Sequence, residues 1–364
     1  MSLAAGIVGL PNVGKSTLFN AISGGGAAVA NYAFATIEPN VATVPVPDPR
    51  LDALARLARS ARVVPATVEL VDIAGLAEGA SEGEGLGNRF LAQIREVDAL
   101  VHVVRCFDDA DVAHVYDSID PVRDVEIVET ELLLADLEQI ARRVDRAART
   151  ARSQGSRDPN ARRDAELAQR LQAHLATGHP ARTFGDDLGA FRDFGLLTAK
   201  PVLYVANVGE ADLPEGNAHA SALRALAGKQ DAEVIVVAAE TEAQITELPP
   251  QERGEFLADL GLPQSGLDQL VAAAFRLLGL ITFLTAGPKE ARAWTVRAGT
   301  PAPAAAREIH SDIERGFIRV EVIDFDDWVA LGSEQAVKEA GRMRVEGRGY
   351  VIKDGDVVHY RFNV

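Results

Sequence analysis

Sulfur is scarce in this 364-residue chain, which holds a single cysteine, Cys106. No intrachain disulfide can form, so a reducing cytoplasm is the expected setting. The thiol lies in the apolar run LVHVVRCF and reads as an inert core cysteine. Positive charge is also short: 37 Lys and Arg face 53 Asp and Glu, a formal net charge of −16. That balance excludes a general polyanion binder but leaves room for a local basic patch. No apolar run approaches the ~20 residues that cross a bilayer, so no membrane partner is expected. The opening AAGIVGL enters a strand without a basic leader, and no signal peptide is expected. Internal repeats and long low-complexity tracts are missing too.

What is present is an ordinary globular balance, 47% hydrophobic and 25% charged, in a chain long enough for two or three domains. Five short apolar runs end in polar residues: 3–9, 67–75, 99–107, 200–208 and 232–240. Near-continuous apolar runs of that length are how buried parallel strands look. Their alternation with helices predicts a doubly wound α/β domain. Between the third and fourth runs, Ile127, Leu132, Leu134, Leu137, Ile140 and Val144 recur at helical spacing. SQGSRDPN (153–160) interrupts them as a turn. The spacing predicts a helical hairpin inserted at about 124–198. After a helix near 267–280, four strand-like runs and a short helix predict a small α+β module. The expected domains are 1–277 and 278–364.

GLPNVGKST fits G-x-x-x-x-G-K-[ST], with Gly9, Gly14, Lys15 and Ser16 in a strand–turn–helix context. Glycines let the backbone curl around phosphate, and the helix start adds partial positive charge. Asn12, Val13, Gly14, Lys15, Ser16 and Thr17 are the expected nucleotide contacts. Lys15 can bridge β- and γ-phosphates, and Ser16 can offer a hydroxyl to Mg²⁺. Asp72 in DIAG can hold Mg²⁺ through water, and Gly75 can place an N–H near the γ-phosphate. Thr36 is favoured over Thr43 and Ser23 as the switch-loop hydroxyl on the metal. The stretch 75–90 reads as a second switch or as a merely flexible loop.

Leu76 stands where many enzymes of this class place a glutamine that orients water. Another group or a partner must then do so. His102 reads as a core histidine, so His114 is the catalytic candidate. In related GTPases with asparagine at the Asn12 position a monovalent cation can sit beside the phosphates, which makes K⁺ dependence a hypothesis.

YVANVGE (204–210) has the place of an Asn-Lys-x-Asp base-reading loop, with Asn207, Val208 and Glu210 as contacts. Val208 lacks a stem long enough to cover the ring. Glu210 carries one methylene more than aspartate. Asn207 could pair with adenine's N6 and N7 together. These changes weaken guanine recognition without by themselves establishing adenine. Elsewhere, eight arginines against two aspartates over 142–163 give a local excess of six positive charges. Arg142, Arg146 and Arg149 share a face, either a solvated one or a docking surface for RNA or an acidic protein.

GLPNVGKSTLFNAIS, NYAFATIEPN, VPVPDPRLDALA, DIAGLAEGASEGEGLGNRFLAQIREVDALVHVVRCF, NVGE and DGDVVHYRFNV together resemble the YchF / Obg-like ATPase family from residue 3 to the last. The resemblance implies a Ras-like P-loop NTPase domain with a helical-hairpin insert and a C-terminal ubiquitin-like TGS module. It implies Mg²⁺-dependent ATP hydrolysis by a cytoplasmic, translation-linked protein that binds the ribosome. RNA, through the Arg-rich insert or the TGS module, is a candidate further partner beside the ribosome. Lys15, Ser16 and Thr36 match the family's nucleotide and metal positions, Leu76 its glutamine-less switch, and His114 a loop histidine linked to hydrolysis. Ala33 and Ala35 depart from the frequent Pro and Cys. A GTPase of the same fold, or a nucleotide-gated binding module with negligible turnover, are the competing readings.

Overall fold

A computed structural model describes residues 3–24, 28–30, 40–74, 86–116, 118–153, 159–185 and 194–363. The chain runs β1 (Ala4–Val8), α1 (Lys15–Gly24), β2 (Ala28–Ala30), β3 (Asn40–Pro45), α2 (Pro49–Ala58), β4 (Val63–Val64), β5 (Thr67–Asp72), α3 (Leu86–Glu96) and β6 (Ala99–Arg105). Two long helices follow, α4 (Pro121–Ser153) and α5 (Pro159–Ala176). Next come β7 (Val202–Asn207), α6 (Ala218–Gly228), β8 (Glu233–Val237), α7 (Ala239–Glu247), α8 (Pro250–Asp259) and α9 (Gly266–Leu277). The last part is β9 (Leu280–Ala286), β10 (Ala291–Arg297), α10 (Ala302–Ile309), α11 (Ser311–Arg315), β11 (Phe317–Ile323), α12 (Phe325–Leu331), α13 (Glu334–Glu339), β12 (Arg344–Glu346) and β13 (Val357–Phe362).

The first sheet has the order β2-β3-β5-β1-β6-β7-β8. β5, β1, β6, β7 and β8 pair in parallel. Every residue of β1, β6 and β7 is buried, which explains their unbroken apolar character. Register fixes the site: Ile7 pairs with Asp72, Arg105 with Asn207, and Asn207 with Val237. Those carboxyl ends line one rim, where open α/β sheets bind ligands. The doubly wound expectation is borne out.

The inserted helices also appear. α4 starts at a cap, with Asp120 Oδ1 accepting from Val122 N and Arg123 N, both at 3.1 Å. α4 and α5 share a core of Leu133, Ile140, Ala168, Leu171 and Leu175. Asp136, fully buried, takes the N–H groups of Leu197 and Thr198 at 2.8 Å and the Thr198 hydroxyl at 2.6 Å. That staple fixes the chain's return to the sheet. Most of the predicted turn (154–158) lies outside the described residues.

Contacts divide the chain into Met1–Ala42 with Glu69–Leu270, and Thr43–Val68 with Val271–Val364. The expected single cut near residue 277 therefore misses one segment. Within the second unit β4 pairs in parallel with β10, Val63 opposite Ala291. Arg50 of α2 donates to Asp48 at 2.9 Å and to Asp354 at 2.7 Å, ion pairs that raise its already high pKa. This unit's sheet has the order β12-β11-β13-β9-β10-β4, with β9–β10 and β11–β13 antiparallel and β13–β9 parallel. The alanine face of α10 (Ala302, Ala305, Ala306) packs with Phe283, Val320 and Val322. This is the α+β module the sequence predicts, enlarged by a borrowed segment.

Candidate functional site

The loop between β1 and α1 is held by close approaches. A Cβ on Gly9 would meet Val103 O at 2.6 Å, so only glycine lets the loop pass β6. Gly14 has φ +90° and Asn12 φ +61°, a left-handed value that asparagine tolerates. Leu18 N donates to Gly14 O at 2.9 Å, so the helix begins directly at the loop. Its first N–H groups have no intrahelical acceptor and form the positive end of α1. Ser16 is exposed there, and Thr17 partly so. Lys15 Nζ forms an ion pair with Asp72 Oδ1 at the end of β5. The structure thus joins the two residues expected to divide phosphate and metal between them.

The base-reading stretch sits on the same rim. Asn207 is 4% exposed and spends its amide inward. Nδ2 donates to Val13 O at 2.9 Å, and Oδ1 accepts from Ala239 N at 2.9 Å. Asn207 is therefore first a staple between the phosphate loop and α7. Each end of the amide has one main-chain partner and keeps a second N–H or lone pair, so the adenine pairing expected of Asn207 stays a proposal. Val208 is buried, with its N–H on Val237 O at 2.9 Å. Glu210 is exposed, and its Oε2 accepts from the buried Thr241 hydroxyl at 3.2 Å. The first turn of α7, through Ala239 and Thr241, positions both polar members of the loop. Sequence reading missed that turn because AAET carries no motif of its own.

His114 lies in the segment after β6, and Asn12 Nδ2 reaches the preceding carbonyl, Ala113 O, at 3.2 Å. Its ring faces elsewhere. Nε2 is 3.0 Å from Asp124 Oδ2, Nδ1 is 2.7 Å from Tyr116 O, and Tyr116 N donates to Nδ1 at 3.0 Å. Asp124 is buried and also bound by Arg123 at 2.9 Å. In this conformation His114 is a docked side chain and does not present a nitrogen to water at the phosphate loop. His102 is the core histidine expected: it lies 5.7 Å from the Tyr204 ring, and burial lowers it to about 3. Burial pushes the Cys106 thiol up to about 12, which keeps it inert.

For a divalent cation the rim offers Ser16 and Asp72, two hard oxygen donors beside the phosphate loop. Mg²⁺ uses few protein ligands and keeps water and phosphate oxygens, so this donor set fits it. No cluster of three or more His, Cys, Asp or Glu able to hold a metal occurs among the described residues. Thr36, Gly75 and Leu76, with Ala33 and Ala35, lie outside the described residues.

Comparison with known proteins covers the whole chain. A family described as 50S ribosome-binding GTPase matches residues 4–139. A second family, named for the C-terminal part of YchF GTPases and described as of unknown function, matches residues 280–363. The Haemophilus ducreyi protein named Ribosome-binding ATPase YchF is 50% identical over 367 residues, covering 100% of both chains. Its Bacillus subtilis namesake is 48% identical with the same coverage. Obg-like ATPase 1 of Oryza sativa is 43% identical and covers 100% of this chain and 92% of its own. The solved structure of the Schizosaccharomyces pombe YchF GTPase superposes with a TM-score of 0.86 at 36% identity, covering 99% of this chain and 98% of that one. These names divide between ATPase and GTPase.

Proposed function

The chain belongs to the YchF / Obg-like ATPase family, and from that premise we propose that it is a ribosome-binding ATPase, hydrolysing ATP to ADP and phosphate as a Mg²⁺-dependent switch. The observation that carries the reading is the rim itself: the phosphate loop, Lys15, Asp72 and the base-reading stretch stand together on one sheet edge. The loop N–H groups and Lys15 take the phosphates of ATP. With nucleotide bound, Lys15 would give up the Asp72 carboxylate for phosphate oxygens, and Ser16, Thr36 and, through water, Asp72 would hold the metal. Mg²⁺ supplies positive charge to the phosphate oxygens. Gly75 offers an N–H to the γ-phosphate. For His114 to position water, its bond to Asp124 must open.

The base-reading stretch supports ATP over GTP. Reading guanine takes a carboxylate that accepts two parallel N–H bonds. One oxygen of Glu210 already serves Thr241, and Val208 is too short and too buried to cover a ring. K⁺ is a second proposed cation, beside Asn12. Equal turnover in K⁺ and Na⁺ would remove it.

The ribosome is the proposed partner, the cytoplasm the setting, and the insert or the C-terminal module the RNA-contacting part. Arg142 and Arg149 of α4 are exposed, although Arg142 also pairs with Glu138 at 3.0 Å. If those arginines carry docking, reversing Arg142, Arg146 and Arg149 to Glu abolishes co-sedimentation with ribosomes, and salt weakens the wild type. The deciding experiment is a competition titration of ATP against GTP with Mg²⁺ present, followed by turnover with and without ribosomes. Preference for GTP would return the GTPase reading. A rate near zero that ribosomes never raise would return the binding module.

A further inference from the structure

Arg105 closes β6 at the rim and is 2% exposed. The nucleotide reading makes no use of it. A guanidinium taken out of water is costly unless its donors are met. Here each of the three nitrogens has a main-chain acceptor, without an acid. Nε donates to Phe107 O at 3.2 Å, Nη1 to Val112 O at 2.9 Å, and Nη2 to Asp109 O at 3.0 Å. Nη1 also reaches Ala113 O at 3.5 Å, and the Phe107 ring lies 4.5 Å from the guanidinium carbon. A planar fork of donors suits several carbonyls at once in a way an ammonium does not. One buried side chain thus gathers the segment 107–113 into a closed loop.

That loop ends against the phosphate loop. Ala113 O accepts from Asn12 Nδ2 at 3.2 Å, and Asn12 holds the left-handed conformation noted above. We propose that Arg105 is a positioning residue for the phosphate loop: by closing 107–113 it fixes Ala113 O, and through it the amide of Asn12. The inference rests on the ATPase reading and extends it to a residue outside the P-loop motif. Its effect falls on turnover. Ground-state hold on the phosphates comes from Lys15 and the loop N–H groups, which Arg105 does not touch. A loop member displaced by about an ångström is felt mainly in the rate.

The test is a double-mutant cycle on the full-length protein, reading kcat and KM for ATP. Arg105→Lys keeps the charge and loses the fork. Asn12→Gly keeps the left-handed backbone and loses the donor. Each is expected to lower kcat about tenfold with KM within about threefold. The double variant is expected to be no slower than either single one, because both break the same linkage. An unchanged kcat in Arg105→Lys, or losses that multiply, would overturn the proposal. A wild type that turns over no ATP would instead sink the ATPase reading. Hydrogen exchange of Asn12→Gly separates the two and needs no Arg105 variant to fold. The Asp111 amide, which donates to Asp109 Oδ1 at 2.8 Å, should exchange faster, and unchanged protection there would overturn the coupling.

Discussion

The amide of Asn207 occupies the space into which a side chain at Gly14 would grow: a Cβ there would lie 2.2 Å from Asn207 Nδ2. Gly14 also sits at φ +90°, a conformation strained for any L side chain. Gly14→Ala is therefore expected to displace Asn207 and open the phosphate loop. Nucleotide affinity should fall more than about tenfold, an effect of more than about 1.4 kcal/mol. Equilibrium binding of a fluorescent ATP analogue checks this.

Asn207→Ala attacks the same junction from the other side. It strips Val13 O and Ala239 N of their partner in a buried setting. Leaving such groups unmet is expected to cost about 2–4 kcal/mol of stability. Urea unfolding without nucleotide measures that cost directly. A loss below about 0.5 kcal/mol would mean that water or relaxation replaces both bonds.

How much of this junction the sequence showed depends on the kind of signal. Gly9, Gly14 and Lys15 are legible because a motif with fixed spacing names them, and Asp72 because DIAG closes the next apolar strand after that motif. The strands β1, β5, β6, β7 and β8 were legible because burial on both faces forces unbroken apolar runs. The inward role of Asn207 was not, since a buried amide and a base-reading amide look alike in one sequence. Nor was the first turn of α7, whose Ala239 acts through its main chain. The segment 43–68 reads as part of the nucleotide domain by position, yet it joins the second unit through Val63 opposite Ala291 and Arg50 on Asp354. Pairings across more than two hundred residues leave no local trace.

His102 gives an acid-dependent prediction. Burial, with the Arg182 charge adding, lowers it from 6.5 to about 3. The folded protein therefore keeps the ring neutral while the unfolded chain takes up a proton below 6.5. The associated stability is complete above that pH and is lost as pH falls toward 3, at up to about 1.4 kcal/mol per unit. His102→Leu removes this proton uptake. Between pH 7.5 and 5.0, urea stability should fall by about 2 kcal/mol more in the wild type than in His102→Leu. Parallel curves would refute the assignment.

The choice of base offers the sharpest test, and the structure changes its design. Val208→Lys with Glu210→Asp restores the Asn-Lys-x-Asp pattern and is expected to move preference toward GTP. Val208 is buried, however, so a lysine there must carry its ammonium out of an apolar site, which offsets part of the gain. Glu210→Asp also shortens an acid whose Oε2 takes the Thr241 hydroxyl. Thr241→Val, added to the pair, removes that competing donor and leaves the whole carboxylate for guanine's two N–H groups. The triple variant should therefore lower the ATP-to-GTP affinity ratio further than the double, each step by about tenfold or more. Competition titrations at matched fractions of folded protein give the ratios. If both variants keep the wild-type ratio, base choice does not reside in residues 207–210, and the main chain around Ala238 and Ala239 becomes the place to look.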